Sequence, residues 1–591
     1  MLQYLALFLL LFVGAQAVVD LDEYVNSAFL DGAEKVKLYW NVNHDESSVK
    51  FALRVQATGW VGFGISAGTG NMVGSDVVMG CVKDGKGYLQ DRYADSKSLP
   101  SLDSSQDWHL LESSEENGFT TLSFHRKFYT CDTKDNKIED GSVRVVYSYH
   151  DTKDPDISDD STFLYHSARG SRTLILLNVH KKKPQLPAQL SHFDLRHNLT
   201  IPSRLTSYMC KPFEFPQPAS KHHIVKYMPL INSKNLGRVH HMLVYGCHSS
   251  FPRSNLSHVG ECTDKNMPPA IQRCSGAAPI AAWAIGGEDF YYPEHVGLAF
   301  GDGHGPRYVV LEIHYDNPQN DSGVYDDSGI RFFFTNKTRQ FDAGILWTGW
   351  APMSAMVIPP RQEEWTSIGY CPSNCTRLGF EKSSLPDKGI KIFAGMEHTH
   401  LQGIKVWTRH VRDGKELPEI IREEHYDFNY QEFQVLRNEV HVKPGDDIIQ
   451  MCKYQTKNKN YPVVGGLGTT EEMCMSFLLY YPQVDLAKCF TVNNVLSAFA
   501  AKVSPWGNAS GITWGEDQVQ VYRDLLGQSE TIYSDCQFSD TSKLRLGMIP
   551  KPKVTNPLKP SPSPCDVSST TGSPNISGLL ILAFYAFSLL L

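Results

Sequence analysis

The stretch Tyr308-Val-Val-Leu-Glu-Ile-His-Tyr315 decides the fold class of this chain. It is short, rich in β-branched and aromatic residues, and follows a Gly-rich turn, which is the pattern of a buried strand. The runs Lys391–Ala394 and Ile404–Thr408 have the same character, and no internal repeat of fixed period is present. We therefore expect two all-β domains, of the β-sandwich or jelly-roll type, over residues 195–345 and 346–520.

The amino-terminal part has its own strand pattern. The runs Lys37–Trp40 and Val143–Tyr149 are apolar and aromatic, and Phe51, Leu53 and Val55 alternate with smaller or polar residues. This alternation predicts a further β-sandwich over residues 35–150. A Lys- and Pro-rich stretch indicates a linker over residues 151–194.

Composition bounds the class of protein. The chain has 591 residues, of which 41% are hydrophobic, and 56 basic residues against 64 acidic ones give a net charge of -8. A length of this order corresponds to about three or four domains. The absence of a long basic run argues against a nucleic-acid partner. A mean hydropathy of -0.30 with 11% aromatic residues excludes both a polytopic membrane protein and a disordered chain.

The amino terminus has the pattern of a secretory signal peptide over residues 1–17. Tyr4–Val13 is an unbroken apolar run, and the A-x-A cleavage signal Ala15–Ala17 follows it. The alternative, a buried first helix, would need a polar face that the run lacks. In the secretory pathway, on the lumenal or extracellular face, cysteines form disulfides. Thirteen cysteines are an odd number, so at least one is expected to stay unpaired.

Seven N-x-S/T sequons agree with secretion. One of them, Asn575, lies in the terminal tail. The six expected glycosylation sites are Asn198, Asn255, Asn320, Asn336, Asn374 and Asn508.

The carboxyl terminus indicates membrane attachment. Residues 521–566 form an extension that ends in a Pro-rich segment, and residues 567–591 combine small residues with the apolar run Leu579–Leu591. Thirteen helical residues reach only about 20 Å, short of a hydrocarbon core of about 30 Å. The pattern fits a GPI-attachment signal or a short permanent anchor, at the endoplasmic reticulum membrane or the cell surface. The sequence leaves open whether the chain forms a homo-oligomer.

Spacing selects a few of the 22 histidines as candidate metal ligands. On a strand, His398 and His400 leave the same face and can converge on one ion, although two exposed polar residues would show the same pattern. His314 lies on a predicted strand and could add an imidazole or be a core residue. Met473 would pack in a core unless a soft metal such as Cu(I) is present.

Two pairs of adjacent histidines also occur, His240-His241 and His222-His223. A regular strand would direct adjacent side chains to opposite faces. Both members of a pair can bind one metal only through a β-bulge or through different ring nitrogens. Spacing alone does not decide between the two pairs.

Four ordered segments make this chain similar to the copper type II, ascorbate-dependent monooxygenases. The region before them resembles a DOMON domain through Gly59–Gly64, Asp91–Tyr93 and Phe128–Asp132. The likeness covers nearly the whole mature chain. The four segments are Val239-His-His-Met242, Leu311-Glu-Ile-His-Tyr-Asp-Asn-Pro318, Glu397-His-Thr-His-Leu401 and Glu471-Glu-Met-Cys474.

The resemblance implies two copper sites. It assigns His240, His241 and His314 to an electron-transferring copper. It assigns His398, His400 and Met473 to an oxygen-binding copper. The peptidylglycine α-hydroxylating members of the family have a counterpart of the pair at His240 but none of the pair at His222, so His222 and His223 are left as structural.

The resemblance also implies active-site residues. Tyr208 matches a tyrosine described as active-site in the family, although a tyrosine at this position could equally pack against a sheet. Tyr208 and His398 are the expected catalytic residues. One departure is Phe477, which stands where family members commonly have a tyrosine, so a proton-donating role cannot be transferred to it.

The expected ligands suit the expected chemistry. Three imidazoles tolerate both Cu(II) and Cu(I), whereas a thioether favours Cu(I), the state that meets dioxygen. Two coppers supply two electrons, and ascorbate reloads them singly. The family reaction converts a small amine-bearing or hydrophobic substrate, dioxygen and two ascorbates into a hydroxylated product, water and two ascorbyl radicals.

Disulfide pairings are likewise implied by the resemblance, because spacing alone allows thousands of them. They leave Cys81 as the unpaired thiol. The implied pairs are Cys131-Cys565, Cys210-Cys262, Cys247-Cys274, Cys371-Cys489, Cys375-Cys536 and Cys452-Cys474.

The leading hypothesis is a membrane-associated, secretory copper monooxygenase. A second is a copper- or ligand-binding surface protein of the same fold without turnover, which Phe477 favours. A third, a zinc hydrolase, is disfavoured by Met473 and by the lack of a positioned glutamate base in His398–His400.

Overall fold

The computed structural model describes residues 19–559 and Cys565. The predicted signal peptide, the tail 567–591 and Asn508 lie outside the described residues. Within residues 19–559 the description has gaps at 69, 178–183, 248–250, 276–278, 285–286, 288, 352, 382, 384–388, 432, 467–469, 494, 496–498, 500–501, 503–511 and 539–542.

The first domain is a sandwich of two antiparallel sheets. Their orders are β1-β2-β3-β9-β8 and β11-β10-β4-β5-β6-β7. Phe51, Phe63 and Phe124 fill the space between them, with ring centroids 5.4 to 6.0 Å apart. The strands are β1 (Asn26–Phe29), β2 (Val36–Asn43), β3 (Ser48–Val55), β4 (Val61–Ile65), β5 (Asp76–Lys83), β6 (Lys86–Tyr93), β7 (Ser101–Leu102), β8 (His109–Glu116), β9 (Phe119–Lys127), β10 (Ser142–Tyr149) and β11 (Ala168–Ile175).

Two strands of this sandwich lie outside the predicted range 35–150. Strand β1 pairs with β2, and β11 pairs with β10 along its whole length. Leu174 and Leu177 join the core of the domain. The stretch 151–194, interpreted as a linker, therefore contains an edge strand of the first domain.

The second domain also has two main sheets. One has the order β12-β23-β15-β20-β24, and the other β17-β14-β21-β16-β18. The elements are β12 (Ser191–Arg196), β13 (Leu199–Thr200), β14 (Thr206–Glu214), β15 (His222–Leu230), β16 (Val239–Cys247), β17 (Gly260–Glu261), α1 (Pro269–Ser275), β18 (Pro279–Ala284), β19 (Phe290–Tyr291), β20 (Val296–Phe300), β21 (Tyr308–Asp316), β22 (Tyr325–Asp326), β23 (Gly329–Thr335) and β24 (Phe341–Asp342).

The third domain packs a sheet of order β31-β28-β34-β25-β35-β36-β37 against one of order β27-β32-β29-β30. The elements are β25 (Gly344–Trp350), β26 (Val357–Ile358), β27 (Trp365–Cys371), α2 (Ser373–Glu381), β28 (Ile390–His398), β29 (Gly403–Arg412), β30 (Lys415–Glu423), β31 (Gln434–Val442), β32 (Asp447–Tyr454), β33 (Val463–Val464), β34 (Cys474–Tyr481), β35 (Leu486–Val492), α3 (Glu516–Gln528), β36 (Thr531–Phe538) and β37 (Lys543–Pro550).

Strands β36 and β37 place part of the predicted extension 521–566 inside the third domain, because they continue its larger sheet. The second and third domains share one hydrophobic core, in which Tyr292 of the second domain meets Phe393 of the third at 6.2 Å between ring centroids. This shared core fixes the two domains next to each other. The all-β fold class predicted from the sequence is confirmed.

Six disulfides cross-link the described chain, and they join the same cysteines that the resemblance implies. The remaining cysteine, Cys81, is free and buried, and burial raises the pKa of its thiol to about 12. A thiol in this state is a weak nucleophile at neutral pH. The disulfides are Cys131-Cys565, Cys210-Cys262, Cys247-Cys274, Cys371-Cys489, Cys375-Cys536 and Cys452-Cys474.

Of the described sequon asparagines, Asn255 is half-buried and the others, Asn198, Asn320, Asn336 and Asn374, are exposed. All five side chains are thus at the surface. Outside the gaps, no helix of the described chain is long and apolar enough to cross a membrane. The disulfide-rich fold fits the secretory pathway.

Candidate metal centres

The first candidate centre forms where β16 pairs with β21. His241 lies opposite His314 in the antiparallel register, and Val239 lies opposite Tyr315. His240 is therefore the extra residue of a β-bulge. A bulge lets two neighbouring side chains face the same region. The adjacent residues His240 and His241 can therefore direct both imidazoles toward one metal ion, because the strand has a bulge there.

These three imidazoles offer nitrogen atoms that all lie within 4.8 Å of one another. The Nδ1 atoms of His241 and His314 are 3.3 Å apart. Nδ1 of His240 and Nε2 of His314 are buried and have no hydrogen-bond partner in the described chain. An unpaired buried polar atom is costly unless something binds it. The three rings therefore have the arrangement of a metal site.

Burial keeps these rings neutral. It lowers the pKa of His314 to about 3, lowers the pKa of His240, and moves the pKa of His241 well below its ordinary value. For His241 and His314, the neighbouring imidazoles add to this effect. Neutral imidazole is the form that binds a metal ion.

Tyr208 belongs to the first centre. It lies on β14 directly opposite His314, and the two rings stack at 4.3 Å with an interplanar angle of 9°. The tyrosine ring is 6.1 Å from that of His241. The stack fixes the plane of the His314 imidazole.

The second candidate centre lies at the end of β28. The rings of His398 and His400 are 5.2 Å apart and nearly perpendicular. Nδ1 of His398 donates to Oε1 of Gln431 at 2.9 Å, and Nδ1 of His400 donates to the carbonyl of Glu471 at 2.9 Å. In both rings the lone pair is then on Nε2. Such outer contacts fix the tautomer and the orientation of metal-binding histidines.

Burial lowers the pKa of His398 to about 3, and the nearby His400 adds to this effect. The amide of Gln431 is itself oriented, because its Nε2 donates to the carbonyl of Phe428 at 2.6 Å. Its Oε1 is thereby presented to His398. The ring is held neutral and in one tautomer.

Met473 is tied to the same centre through its backbone. One carboxylate oxygen of Glu472 accepts hydrogen bonds from the amides of His400 and Met473, at 2.8 and 3.2 Å. Tyr454 donates to the carbonyl of Met473 at 2.6 Å, and the Cys452-Cys474 disulfide fixes the next residue. The Met473 side chain is buried. These contacts fix the backbone of Met473 relative to His400.

Met475, two residues later, has a different role. It lies opposite His398 in the pairing of β28 with β34, but its sulfur accepts a hydrogen bond from Nε1 of Trp347 at 2.7 Å. Its thioether is therefore engaged in the core.

Phe428 contacts both centres, and no pattern in the sequence pointed to it. Its ring is 5.9 Å from that of His241, 6.5 Å from that of His314 and 5.9 Å from that of His400. It is almost completely buried. A phenyl ring cannot bind a metal, so no ligand motif points to it. Its ring contacts residues of both histidine clusters.

Phe477 packs beside the second centre. Its ring is 6.0 Å from that of His398 and 5.3 Å from that of Trp347, and it is buried. It offers no proton at this position. The departure noted in the sequence thus lies next to a candidate copper ligand.

His222 and His223 do not join either centre. Nε2 of His223 contacts Oδ1 of Asp342 at 2.8 Å, and its Nδ1 accepts from the amide of Arg339 at 2.9 Å. Nδ1 of His222 donates to the carbonyl of Ser220. These are structural contacts.

Comparison with known families defines the class of protein. The chain belongs to the copper type II ascorbate-dependent monooxygenase family. The model of its N-terminal domain matches residues 193–322, and that of its C-terminal domain matches residues 341–500. A DOMON domain model matches residues 32–150. The three matches follow the order of the three domains of the structure, and the first and third domains extend beyond their matches.

Individual relatives extend the comparison over most of the chain. The DBH-like monooxygenase protein 1 of Gallus gallus is 40% identical over 494 residues, or 83% of this chain and 78% of that protein. The dopamine beta-hydroxylase of Canis lupus familiaris is 39% identical over 462 residues, 78% and 72% of the two chains. That of Rattus norvegicus is 34% identical over 568 residues, 92% and 89%.

The family's cofactors are two copper ions, with ascorbate as reductant and O2 as oxidant. The donor sets of this chain fit these ions. The first centre offers only imidazole nitrogens, two of them buried without a partner. The second offers two imidazoles of fixed tautomer, and the backbone of Met473 is tied to His400 through Glu472. The thioether of Met473 is a donor type that favours Cu(I).

Proposed function

We propose that this chain is an ascorbate-dependent copper monooxygenase that hydroxylates a C–H bond of a small substrate with O2. The observation that carries the proposal is the bulge at His240, which gathers His240, His241 and His314 with buried nitrogen atoms unpaired. A structural cluster would pair those nitrogens. A second histidine pair, His398 and His400, supports it, because the ring of Phe428 is 5.9 Å from the rings of both His241 and His400.

We assign the ligands as follows. His240, His241 and His314 hold an electron-transferring copper. His398, His400 and Met473 hold an oxygen-binding copper. When bound, the two ions supply electron transfer and the activation of dioxygen.

The reaction balances as RH + O2 + 2 e⁻ + 2 H⁺ giving ROH + H2O. Two ascorbate molecules supply the electrons, and each leaves as an ascorbyl radical. The protein's part is to position groups and exclude water. Low pKa values keep His314 and His398 as neutral ligands, and Phe428 keeps water out between the centres.

The two expected catalytic residues have separate roles in this proposal. His398 is a ligand beside the reacting oxygen. Tyr208 orients His314 by ring stacking, because its closest imidazole belongs to the electron-transfer cluster. Substrate is then selected by contacts around His398, His400 and Met473.

The proposed substrate class is a small amine-bearing or hydrophobic molecule, since the matched relatives include enzymes named for dopamine. We place the protein on the lumenal or extracellular face of the secretory pathway. Attachment to a membrane through the apolar tail is part of the same proposal and rests on the sequence of residues 567–591.

The test combines copper counting with turnover. The purified chain is reconstituted in excess copper, and ascorbate-dependent O2 uptake is followed with a panel of phenethylamines and fatty acyl-glycines. We expect two coppers per chain and uptake with part of the panel. The variant His240→Ala should lose one copper and all turnover, whereas His222→Ala, from the other adjacent pair, should keep both.

A copper content of one or none in the wild-type chain would contradict the assignment. A second candidate function, copper binding without turnover, is favoured by Phe477, which places no hydroxyl beside His398. Two coppers per chain with background O2 uptake across the whole panel would support that function instead.

A further inference from the structure

The segment from Glu423 to Gln431 connects β30 to β31 and reaches both candidate copper centres. The hydroxyl of Tyr426 donates to the carbonyl of Thr399 at 2.7 Å and accepts from its amide at 3.1 Å. Thr399 is the residue between His398 and His400. Phe428 and Gln431 of the same segment contact His241, His400 and His398. We call residues 423–431 the connecting segment.

At its first residue, Glu423, the connecting segment contacts the first domain. The backbone amide and the hydroxyl of Ser142 both donate to Oε2 of Glu423, at 2.7 and 2.6 Å. Ser142 opens strand β10 of the first domain. Both residues are buried, at 3% and 5% exposure. The contact between Ser142 and Glu423 is therefore buried in the interface between the first and third domains.

A second contact lies four residues further on, at Asp427. Its Oδ2 accepts a hydrogen bond from the hydroxyl of Thr173 at 2.8 Å and pairs with Nη2 of Arg144 at 2.8 Å. Arg144 and Thr173 lie opposite each other on β10 and β11, so the first domain presents them as one unit. Asp427 immediately precedes Phe428.

Glu423 accepts two hydrogen bonds from Ser142, and Asp427 combines a hydrogen bond from Thr173 with an ion pair to Arg144. Charge-assisted contacts such as the one at Asp427 are the stronger kind. The two contacts hold the connecting segment at Glu423 and Asp427, on either side of Tyr426. Because Phe428 and Gln431 follow within a few residues, a change in these contacts would displace the side chains that orient His398 and His400. Short, packed chains of this kind transmit displacement.

We propose that the first domain positions the oxygen-binding copper site through the connecting segment, with Ser142, Arg144 and Thr173 as positioning residues. In this proposal the first domain helps to set the geometry of the copper site and is not only a separate binding module. The kinetic part of this inference rests on the proposed function. The effect on copper geometry rests only on the proposed copper ligands and not on turnover.

The test uses the full-length chain with both coppers bound. The variant Thr173→Val removes the hydroxyl that donates a hydrogen bond to Asp427, and it keeps the shape of the side chain. Thr173→Ser restores a hydroxyl and serves as the rescue. Ser158→Ala removes an exposed hydroxyl bond to Asp156 in the same domain and serves as the matched control.

The main readout is the infrared stretch of carbon monoxide bound to the reduced, copper-loaded protein, because carbon monoxide binds Cu(I) and its stretch responds to the other ligands. We expect the stretch to shift or broaden in Thr173→Val and to match wild type in Thr173→Ser and Ser158→Ala. If Thr173→Val does not fold, as judged by its thermal transition, Ser142→Ala replaces it.

The second readout is turnover. We expect Thr173→Val to lower kcat by about 2- to 30-fold, the range of coupling between distant sites, with copper content unchanged. An unchanged stretch in the variant overturns the proposal, whatever its turnover. If the wild-type chain has no turnover, the proposed function fails, and the stretch still decides the positioning role.

Discussion

The ring of Phe428 lies 5.9 Å from the ring of His241, and this contact brings a side chain of the third domain against a histidine cluster of the second. The same ring is 5.9 Å from that of His400. One buried phenyl ring thus contacts both candidate copper centres, although it can bind no metal itself.

Gln431 should control the copper bound at His398. In Gln431→Leu the Nδ1–H of His398 loses its acceptor, so the ring is no longer fixed in the tautomer that presents Nε2. Losing such an outer contact typically lowers metal affinity by about 10- to 100-fold. We expect competitive chelator titration to show this loss for one copper and no change for the other. Gln520→Leu, at an exposed position of α3, is the control, and equal affinities in both variants would contradict the assignment.

Met473 and Met475 should behave differently when each is replaced by leucine. Met473→Leu removes the proposed thioether ligand and should weaken Cu(I) binding by more than about tenfold, or ~1.4 kcal/mol. Met475→Leu loses only the contact of its sulfur with Trp347 and should retain Cu(I). Cu(I) affinity is measured anaerobically by competition with a chromogenic chelator. The assignment is wrong if Met475→Leu shows the larger loss.

The candidate ligands could be predicted from the sequence only in part. The i, i+2 spacing of His398 and His400 is local, and their convergence followed from strand geometry. The choice of His240-His241 over His222-His223 depends on the pairing of β16 with β21 and on a bulge. That pairing joins residues more than 70 positions apart, which spacing does not encode.

Other parts were missed for different physical reasons. Phe428 has no ligating atom, and its importance comes from three rings that the fold brings around it. The hydrogen bond from His398 to Gln431 depends on the path of the connecting segment. Strand β37, in contrast, had a signal, because Leu544 and Leu546 alternate with polar residues and pack on the core.

Glu423 should make the stability of the protein depend on pH. Burial raises its pKa to about 7, although the hydrogen bonds from Ser142 oppose this. A carboxyl whose pKa is raised on folding stabilises fully below its unfolded pKa of about 4.5, and this contribution is lost as pH rises through 7. Between pH 5 and 7 the loss is up to ~1.4 kcal/mol per pH unit. The variant Glu423→Gln should lack it.

Urea unfolding at pH 5, 6 and 7 measures this effect. The free energy of unfolding of the wild-type chain, relative to Glu423→Gln, should fall as pH rises over this range. The difference between the two proteins cancels the titration of all other groups. A difference that does not vary with pH would mean that Glu423 stays ionised in the folded state.

Phe428 should couple the consumption of O2 to product formation. In Phe428→Ala the buried ring is lost, at a cost of about 3 to 5 kcal/mol in stability, and water can enter between the two clusters. We expect the variant to keep its copper ligands but to consume more O2 per molecule of product, since water admitted there allows reduced oxygen to escape. Phe428→Leu retains most of the apolar volume and should stay near the wild-type ratio. The ratio is obtained from an oxygen electrode and product quantification in one reaction, and an unchanged ratio in Phe428→Ala would show that the ring only packs.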